Sequence, residues 1–149
     1  MKEVTITIKR DDVYEEVAKT TAYTGSRIDE NGKKRVFTTE DDRTMLERFW
    51  QEAKDLMCTN MRRVLTDVTD TNGTLTLKLS LSDAYNDALT DSIASSMSSY
   101  FVTSITAKWF AVMNIPDVTT YANEAAALAE DVLRKVLFKK KPVRRTTTP

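Results

Sequence analysis

Two sets of charged residues have the types and spacing to do something specific. The first is Asp83, Asp87 and Asp91, three carboxylates four residues apart. On a helix they share one face near its N-terminus, where negative charge suits the dipole. The bland reading is a solvated face. The sharper one is a stripe that receives basic side chains, because three unpaired like charges repel one another. The second set is Lys139, Lys140, Lys141, Arg144 and Arg145, five cations within seven positions. Such a cluster can dock on an acidic protein surface, contact nucleic-acid phosphates without reading sequence, or stay solvated. No aromatic residue interleaves with it, as single-strand binding would favour.

Catalytic chemistry finds less support. The chain has 149 residues and no histidine, which removes the commonest general base and with it Ser-His-Asp and Cys-His catalysis. Its one cysteine, Cys58, lies beside an apolar helical face and reads as a packing residue; alone it cannot form an intramolecular disulfide or a cysteine-based zinc site. The stretch from Asp67 to Gly73 faintly resembles a calcium loop. Aligned on its glycine, however, that motif would place Val68 at the first ligand position and Leu79 where a bidentate glutamate belongs, so a hairpin turn is the better reading. Nothing singles out two of the 22 acidic residues as a catalytic pair. The expectation is a protein that is not an enzyme and needs no cofactor.

Charge is segregated along the chain. From Arg134 to Pro149 there are seven basic residues and no acidic one, leaving 15 basic against 22 acidic side chains in residues 1–133. An acidic body thus carries a basic end. The N-terminus lacks an apolar stretch of signal-peptide length, and no apolar run approaches the length of a bilayer span, so the chain reads as soluble and intracellular when made, with no membrane partner.

The elements that must position these residues follow from periodicity. Val4, Ile6 and Ile8 alternate with polar residues, predicting a strand. Asp11 or Asp12 then caps a short helix with Val13, Tyr14, Val17, Ala18 and Thr21 on one side, ended by Gly25. Asn31–Gly32 suits a type I′ turn in a polar hairpin. Thr38 or Thr39 caps a second helix of about seven turns, with Met45, Leu46, Phe49, Trp50, Ala53, Leu56, Met57, Met61, Val64 and Leu65 as its apolar face. A second type I′ signal, Asn72–Gly73, joins Val68–Thr71 to the alternating Leu75, Leu77, Leu79 and Leu81, with the N-terminal strand as the other neighbour.

A long helical hairpin follows, Asp83 to Met113 and Pro116 to Phe138. Its first arm carries apolar residues every four positions from Tyr85 through Leu89, Ile93, Met97, Phe101, Ile105 and Trp109 to Met113, and would be about 45 Å long. Part of so long a rod is expected to pack against another molecule. Asn114 to Asp117 stops one helix and restarts the next. Folding about residue 115 pairs positions whose numbers sum to about 230, setting Trp109 beside Tyr121, Ile105 beside Ala125, Met97 beside Leu133 and Ile93 beside Leu137. The alanines 125, 126, 127 and 129 would let the backbones approach closely. The serines at 92, 95, 96, 98 and 99 are moderate helix formers that depend on packing. The fold class is therefore α+β, mainly α: a long antiparallel helical hairpin plus one further long helix, with a small antiparallel β element. Residues 1–138 form one domain and residues 139–149 a basic extended arm.

In layout the chain resembles the small neck proteins of tailed bacteriophages, the head-to-tail connectors or adaptors that form a ring beneath the portal. The resemblance is carried by the capped helix TTEDDRTMLERFWQEAKDLM, the hairpin DAYNDALTDSIASS…WFAVMNIPDV…EAAALAEDVLRKVL and the extension KKKPVRRTTTP. The opening VTITIKRDDVYEEVAKTTAYTGSRI is also similar to virion proteins of phages of gut Bacteroides-type hosts. The resemblance implies a homo-oligomeric ring in the virion, an arm that reaches the portal or another neck or tail protein, and a channel in which DNA makes non-specific contact. Two departures from the simplest all-helical adaptors are the strands at Val4–Ile8 and Leu75–Leu81. The alternative is a nucleic-acid-binding accessory protein using the same basic tail.

Overall fold

The computed structural model describes residues 1–28 and 38–138, the side chains of residues 24–28 excepted. Among them the elements run β1 (Lys2–Lys9), α1 (Arg10–Ile28), α2 (Arg43–Asn60), β2 (Leu65–Thr71), β3 (Thr74–Leu81), α3 (Thr90–Val112) and α4 (Val118–Leu137). The fold is α+β and mainly helical, with one three-stranded antiparallel sheet and a packed α3–α4 pair. The hairpin expected around Asn31–Gly32 lies outside the described residues.

The sheet has the order β1-β3-β2. Val4, Ile6 and Ile8 stand opposite Leu79, Leu77 and Leu75, so the alternating apolar residues of both strands share the core face. Asn72 (φ 54°) and Gly73 (φ 74°) supply the two positive-φ positions that a tight β2–β3 turn requires. The Gly73 carbonyl then accepts the Arg10 amide at 2.8 Å, which fastens the turn to the start of α1. β1 passes into α1 without a loop. Val13, Tyr14, Val17 and Thr21 are buried as expected. The helix does not stop at Gly25 but continues to Ile28; an interior glycine costs only about 1 kcal/mol, which a helix of this length absorbs.

Thr39 begins the next segment. Its amide donates to Asp42 Oδ2 at 2.9 Å, and one 3₁₀ turn (Glu40–Asp42) leads into α2. Leu46, Phe49, Trp50, Ala53 and Met57 form the buried stripe. The helix has 18 residues, about five turns rather than the expected seven. Met45 and Leu56 are exposed, and Val64 and Leu65 lie beyond its end. The reason is competition: the Val64 carbonyl accepts the Ser80 amide at 2.7 Å, so the sheet takes the residues that the helical pattern had claimed.

The first arm of the helical hairpin begins at Thr90, not at Asp83. Polar side chains set that start: Ser82 Oγ accepts from Ala84, and Asn86 Oδ1, accepting from Ala88, caps a single 3₁₀ turn (Asp87–Leu89) that leads into α3, both bonds at 3.2 Å. Tyr85 is buried in this non-helical stretch, its hydroxyl 3.1 Å from Thr90 Oγ1. The arm is therefore 23 residues, about 35 Å. Beyond the four-residue stripe, Tyr100, Thr103, Thr106, Ala107 and Phe110 are also buried, because α1, α2, α4 and β1 surround α3. What looked like a protruding rod is the central helix of the domain.

α3 ends in a Schellman arrangement. Asn114 takes a left-handed φ of 59°, its amide bonds to the Ala111 carbonyl at 3.3 Å, and the Ile115 amide bonds to Phe110 at 2.9 Å. α4 returns antiparallel in the expected register: Phe110 meets Tyr121 edge-on at 5.2 Å and Ser96 Oγ donates to Asp131 at 2.9 Å. The inward stripe of α4 is Ala125, Ala129, Val132 and Val136. Ala126 and Ala127 face outward, and Leu137 is 60% exposed instead of covering Ile93, because its neighbour Val136 occupies the inward position.

Candidate assembly surfaces

The candidate residues divide between an end of the helical hairpin and a segment outside the described residues. Lys139, Lys140, Lys141, Arg144 and Arg145 belong to the latter. Asp83, Asp87 and Asp91 do not form one helical stripe, since only Asp91 lies in α3. Asp83 accepts the Met1 amino group at 3.1 Å and Asp87 accepts Lys2 Nζ at 2.8 Å, so both hold the beginning of β1. Lys2 Nζ also donates to the Tyr85 carbonyl at 3.4 Å. These exposed pairs locate the strand without contributing much stability. Asp91 stands exposed in the first turn of α3.

The root of the basic segment lies at the same end. Lys135, in the last turn of α4, donates to Asp131 Oδ2 at 2.7 Å, to Ser92 Oγ at 2.8 Å and to Ser96 Oγ at 2.9 Å. The Asp131 carboxyl is held below its usual range, chiefly by its hydrogen bond from Lys135. Two of the serines that read as weak helix formers therefore cross-link the hairpin. The signal was present in their four-residue spacing and in the antiparallel register, which brings Lys135 opposite them. One turn later Leu137 and Phe138 end the described chain, 60% and 44% exposed.

The sheet end contains a cluster that the sequence reading missed. Asp70, only 10% exposed, accepts Arg10 Nη2 at 2.6 Å, Trp50 Nε1 at 3.0 Å and Lys54 Nζ at 3.1 Å. The Arg10 guanidinium also lies over the Trp50 ring, 5.5 Å from its centroid, and Trp50 stacks on Phe101 at 4.4 Å. Burial would raise the Asp70 pKa, but hydrogen bonds from Trp50, Lys54 and Arg10 outweigh it and hold the carboxyl below its usual value. Three elements, β2, α1 and α2, meet on this one carboxylate. Its signal was also legible: the type I′ turn sets Asp70 opposite Leu75, on the core face, where an acid requires partners. Nearby, burial pushes the Tyr14 hydroxyl up to about 12.

The chemistry of this cluster is structural. Its cations are spent on Asp70 and, for Arg10, also on Glu47 at 3.9 Å, and among the described residues no group of three or more His, Cys, Asp or Glu side chains is placed to hold a metal ion. Asp67 to Gly73 forms the second strand and the hairpin turn. Burial raises the Cys58 thiol above its ordinary pKa, which disfavours the nucleophilic thiolate. Among the described residues no helix is long and apolar enough to cross a membrane.

Grooves among the described residues include two of about 500 Å³ each. One runs between α1 and the start of α2, rimmed by Asp11, Glu15 and Glu40, with Arg43 bridging it to Asp11 at 2.8 Å. The other joins the start of α2 to the end of α3, where Met45, Trp109 and Val112 make an apolar floor beside Asp41 and Arg48. Comparison of the chain with protein-family models, with curated proteins and with solved structures gives no match.

Proposed function

We propose that the protein is a structural virion subunit that packs side by side into a homo-oligomeric ring connecting the head (portal) and tail of a bacteriophage. It docks on its partner through the basic segment Lys139 to Arg145. The observation that carries this reading is the division of labour in the charges. In the body, Arg10, Lys54 and Lys135 are taken up by Asp70 and Asp131, while the five cations in positions 139–145 follow directly from an exposed helix end. The resemblance to neck proteins in the order of elements supports the same reading, as does a compact helical body whose polar clusters brace the fold.

Removal of residues 139–149 tests it. The shortened chain is expected to keep its helical content and melting behaviour but to be lost from assembled particles. Unchanged incorporation would overturn the docking role. Submicromolar DNA binding that weakens steeply with salt, and disappears with the same deletion, would instead favour a nucleic-acid accessory protein.

A further inference from the structure

β2 lies at one edge of the sheet, in the order β1-β3-β2. Its ladder with β3 starts from the two-residue turn at Asn72 and Gly73 and alternates from there, so Val68 and Asp70 turn their backbone groups toward the free edge. Residues 66–69 are exposed, Val68 by 37%. A row of unpaired amides and carbonyls is a template on which another chain can add a strand. The residues that usually blunt such an edge, lysine and proline, are absent from Leu65–Thr71. Its solvent-face charge, Asp67, stands opposite Lys78.

Two other features oppose the addition. Between Leu65 and Asp67 the register shifts, and Thr66 is an extra residue whose hydroxyl donates back to the Lys78 carbonyl at 3.0 Å. Such a bulge bends and twists the strand, so the row that a neighbour would follow is not straight. The other feature is Asp70, which points inward at a position where an apolar residue would pack unaided. Asp70, Arg10 and Lys54 are 10%, 21% and 15% exposed, so the cluster keeps a thin supply of water. A strand laid along β2 would pass beside Asp70 and remove it. The desolvation of three charges then outweighs the few backbone hydrogen bonds that so short an edge can offer. Apolar residues of similar size can hold a fold as firmly as a buried ion cluster does. What they would not do is keep the edge from pairing.

We infer that the Asp70 cluster and the Thr66 bulge guard the edge of the sheet: they keep β2 from pairing with β2 of a second copy. Antiparallel pairing of the two strands about a two-fold axis is the contact excluded, because it would bring both clusters to one junction. The device works in the free chain and in any assembly of it, so it stands apart from the ring reading.

Making the cluster apolar tests it. In the full chain, Arg10→Met, Trp50→Phe, Lys54→Met and Asp70→Val together remove the charges without stranding one of them or the indole donor. This variant is expected to keep the wild-type circular dichroism spectrum and to self-associate at least about tenfold more tightly by light scattering. The Val68 amide should exchange its hydrogen more slowly as the variant is concentrated. Adding Val68→Lys, which puts a charge on the edge, should return both readings to the wild-type level. A folded variant that associates like the wild type overturns the inference. Association that Val68→Lys leaves in place would lie on another surface and overturns it as well. If the four changes unfold the chain, Lys54→Met with Asp70→Val, which leaves Arg10 its contact with Glu47 at 3.9 Å, carries the same expectations and the same refutations.

Discussion

Two carboxylates gather polar and cationic partners, three at Asp70 and two at Asp131, and they do so in opposite surroundings. Asp70 is 10% exposed and gathers Arg10 from α1 and Trp50 and Lys54 from α2. Asp131 is 38% exposed and binds Lys135, one turn away on its own helix, with Ser96 across the hairpin. Both have lowered pKa values, yet the energies at stake differ. Around Asp70 the partners have little water to fall back on, so losing the carboxylate strands Lys54 and leaves Arg10 with only its longer pair to Glu47 at 3.9 Å. Around Asp131 solvent replaces whatever is lost. The first cluster fastens the sheet to α1 and α2; the second only trims the hairpin at the root of the basic segment.

The strongest way to break that contrast is Asp70→Ala. Removing the counter-charge of Lys54 and the shorter of Arg10's two ion pairs should cost about 3 kcal/mol, seen as a fall in melting temperature of about 10 °C. The pH dependence sharpens the point. Because the Asp70 pKa is depressed in the folded state, its contribution is complete above the unfolded carboxylate value of about 3.9 and is lost as pH falls toward the folded value. Asp70→Asn should therefore be less stable at neutral pH and show a flatter stability profile below about pH 4. A denaturant series at pH 7 and pH 3 measures both. Equal pH slopes in the two proteins would remove Asp70 from the centre of the fold.

Asp70 also shows how far the sequence could be followed. The strands, their order about Asn72–Gly73 and the register of α3 on α4 were all readable, because a period of two, a turn dipeptide and an antiparallel fold-back each leave a local trace. The start of α3 was not. A four-residue apolar spacing ran unbroken through Tyr85 and Leu89, while Ser82 bonds in a turn and Asn86 caps a 3₁₀ turn, so the regular helix starts only after them. Nor did periodicity show where α2 gives way to β2, since Val64 and Leu65 satisfy both patterns and the pairing with β3 decides between them. For the candidate surfaces the limit was of another kind. Charge runs are visible in a sequence, but which charges are already neutralised depends on contacts distant along the chain, such as Lys2 with Asp87 or Arg10 with Asp70.

A smaller effect is expected at Trp50. Trp50→Phe keeps an aromatic ring to stack on Phe101 but removes the indole donor to Asp70, a hydrogen bond to a charged group. The expected loss is about 2 kcal/mol, intermediate between removing the carboxylate and changing a surface pair. Combining Trp50→Phe with Asp70→Ala should cost less than the two added together, because both act on one network. Additive losses in a double-mutant cycle would mean that Trp50 matters through packing alone.

At the other carboxylate, Lys135→Met keeps most of the aliphatic stem and deletes the ammonium. Asp131, Ser92 and Ser96 lose a partner that water can replace, so the change in stability should stay below about 1 kcal/mol. The electrostatic change should nonetheless be visible at the site itself. Lys135 is the first cause of the lowered Asp131 pKa, so an NMR titration of the variant should find that carboxyl moved back up toward the ordinary value of about 3.9. A clear pKa rise with little loss of stability is the pattern of a solvated cluster. A loss as large as that of Asp70→Ala would mean instead that the hairpin end is braced from the inside, and that the root of the basic segment belongs to the core of the fold.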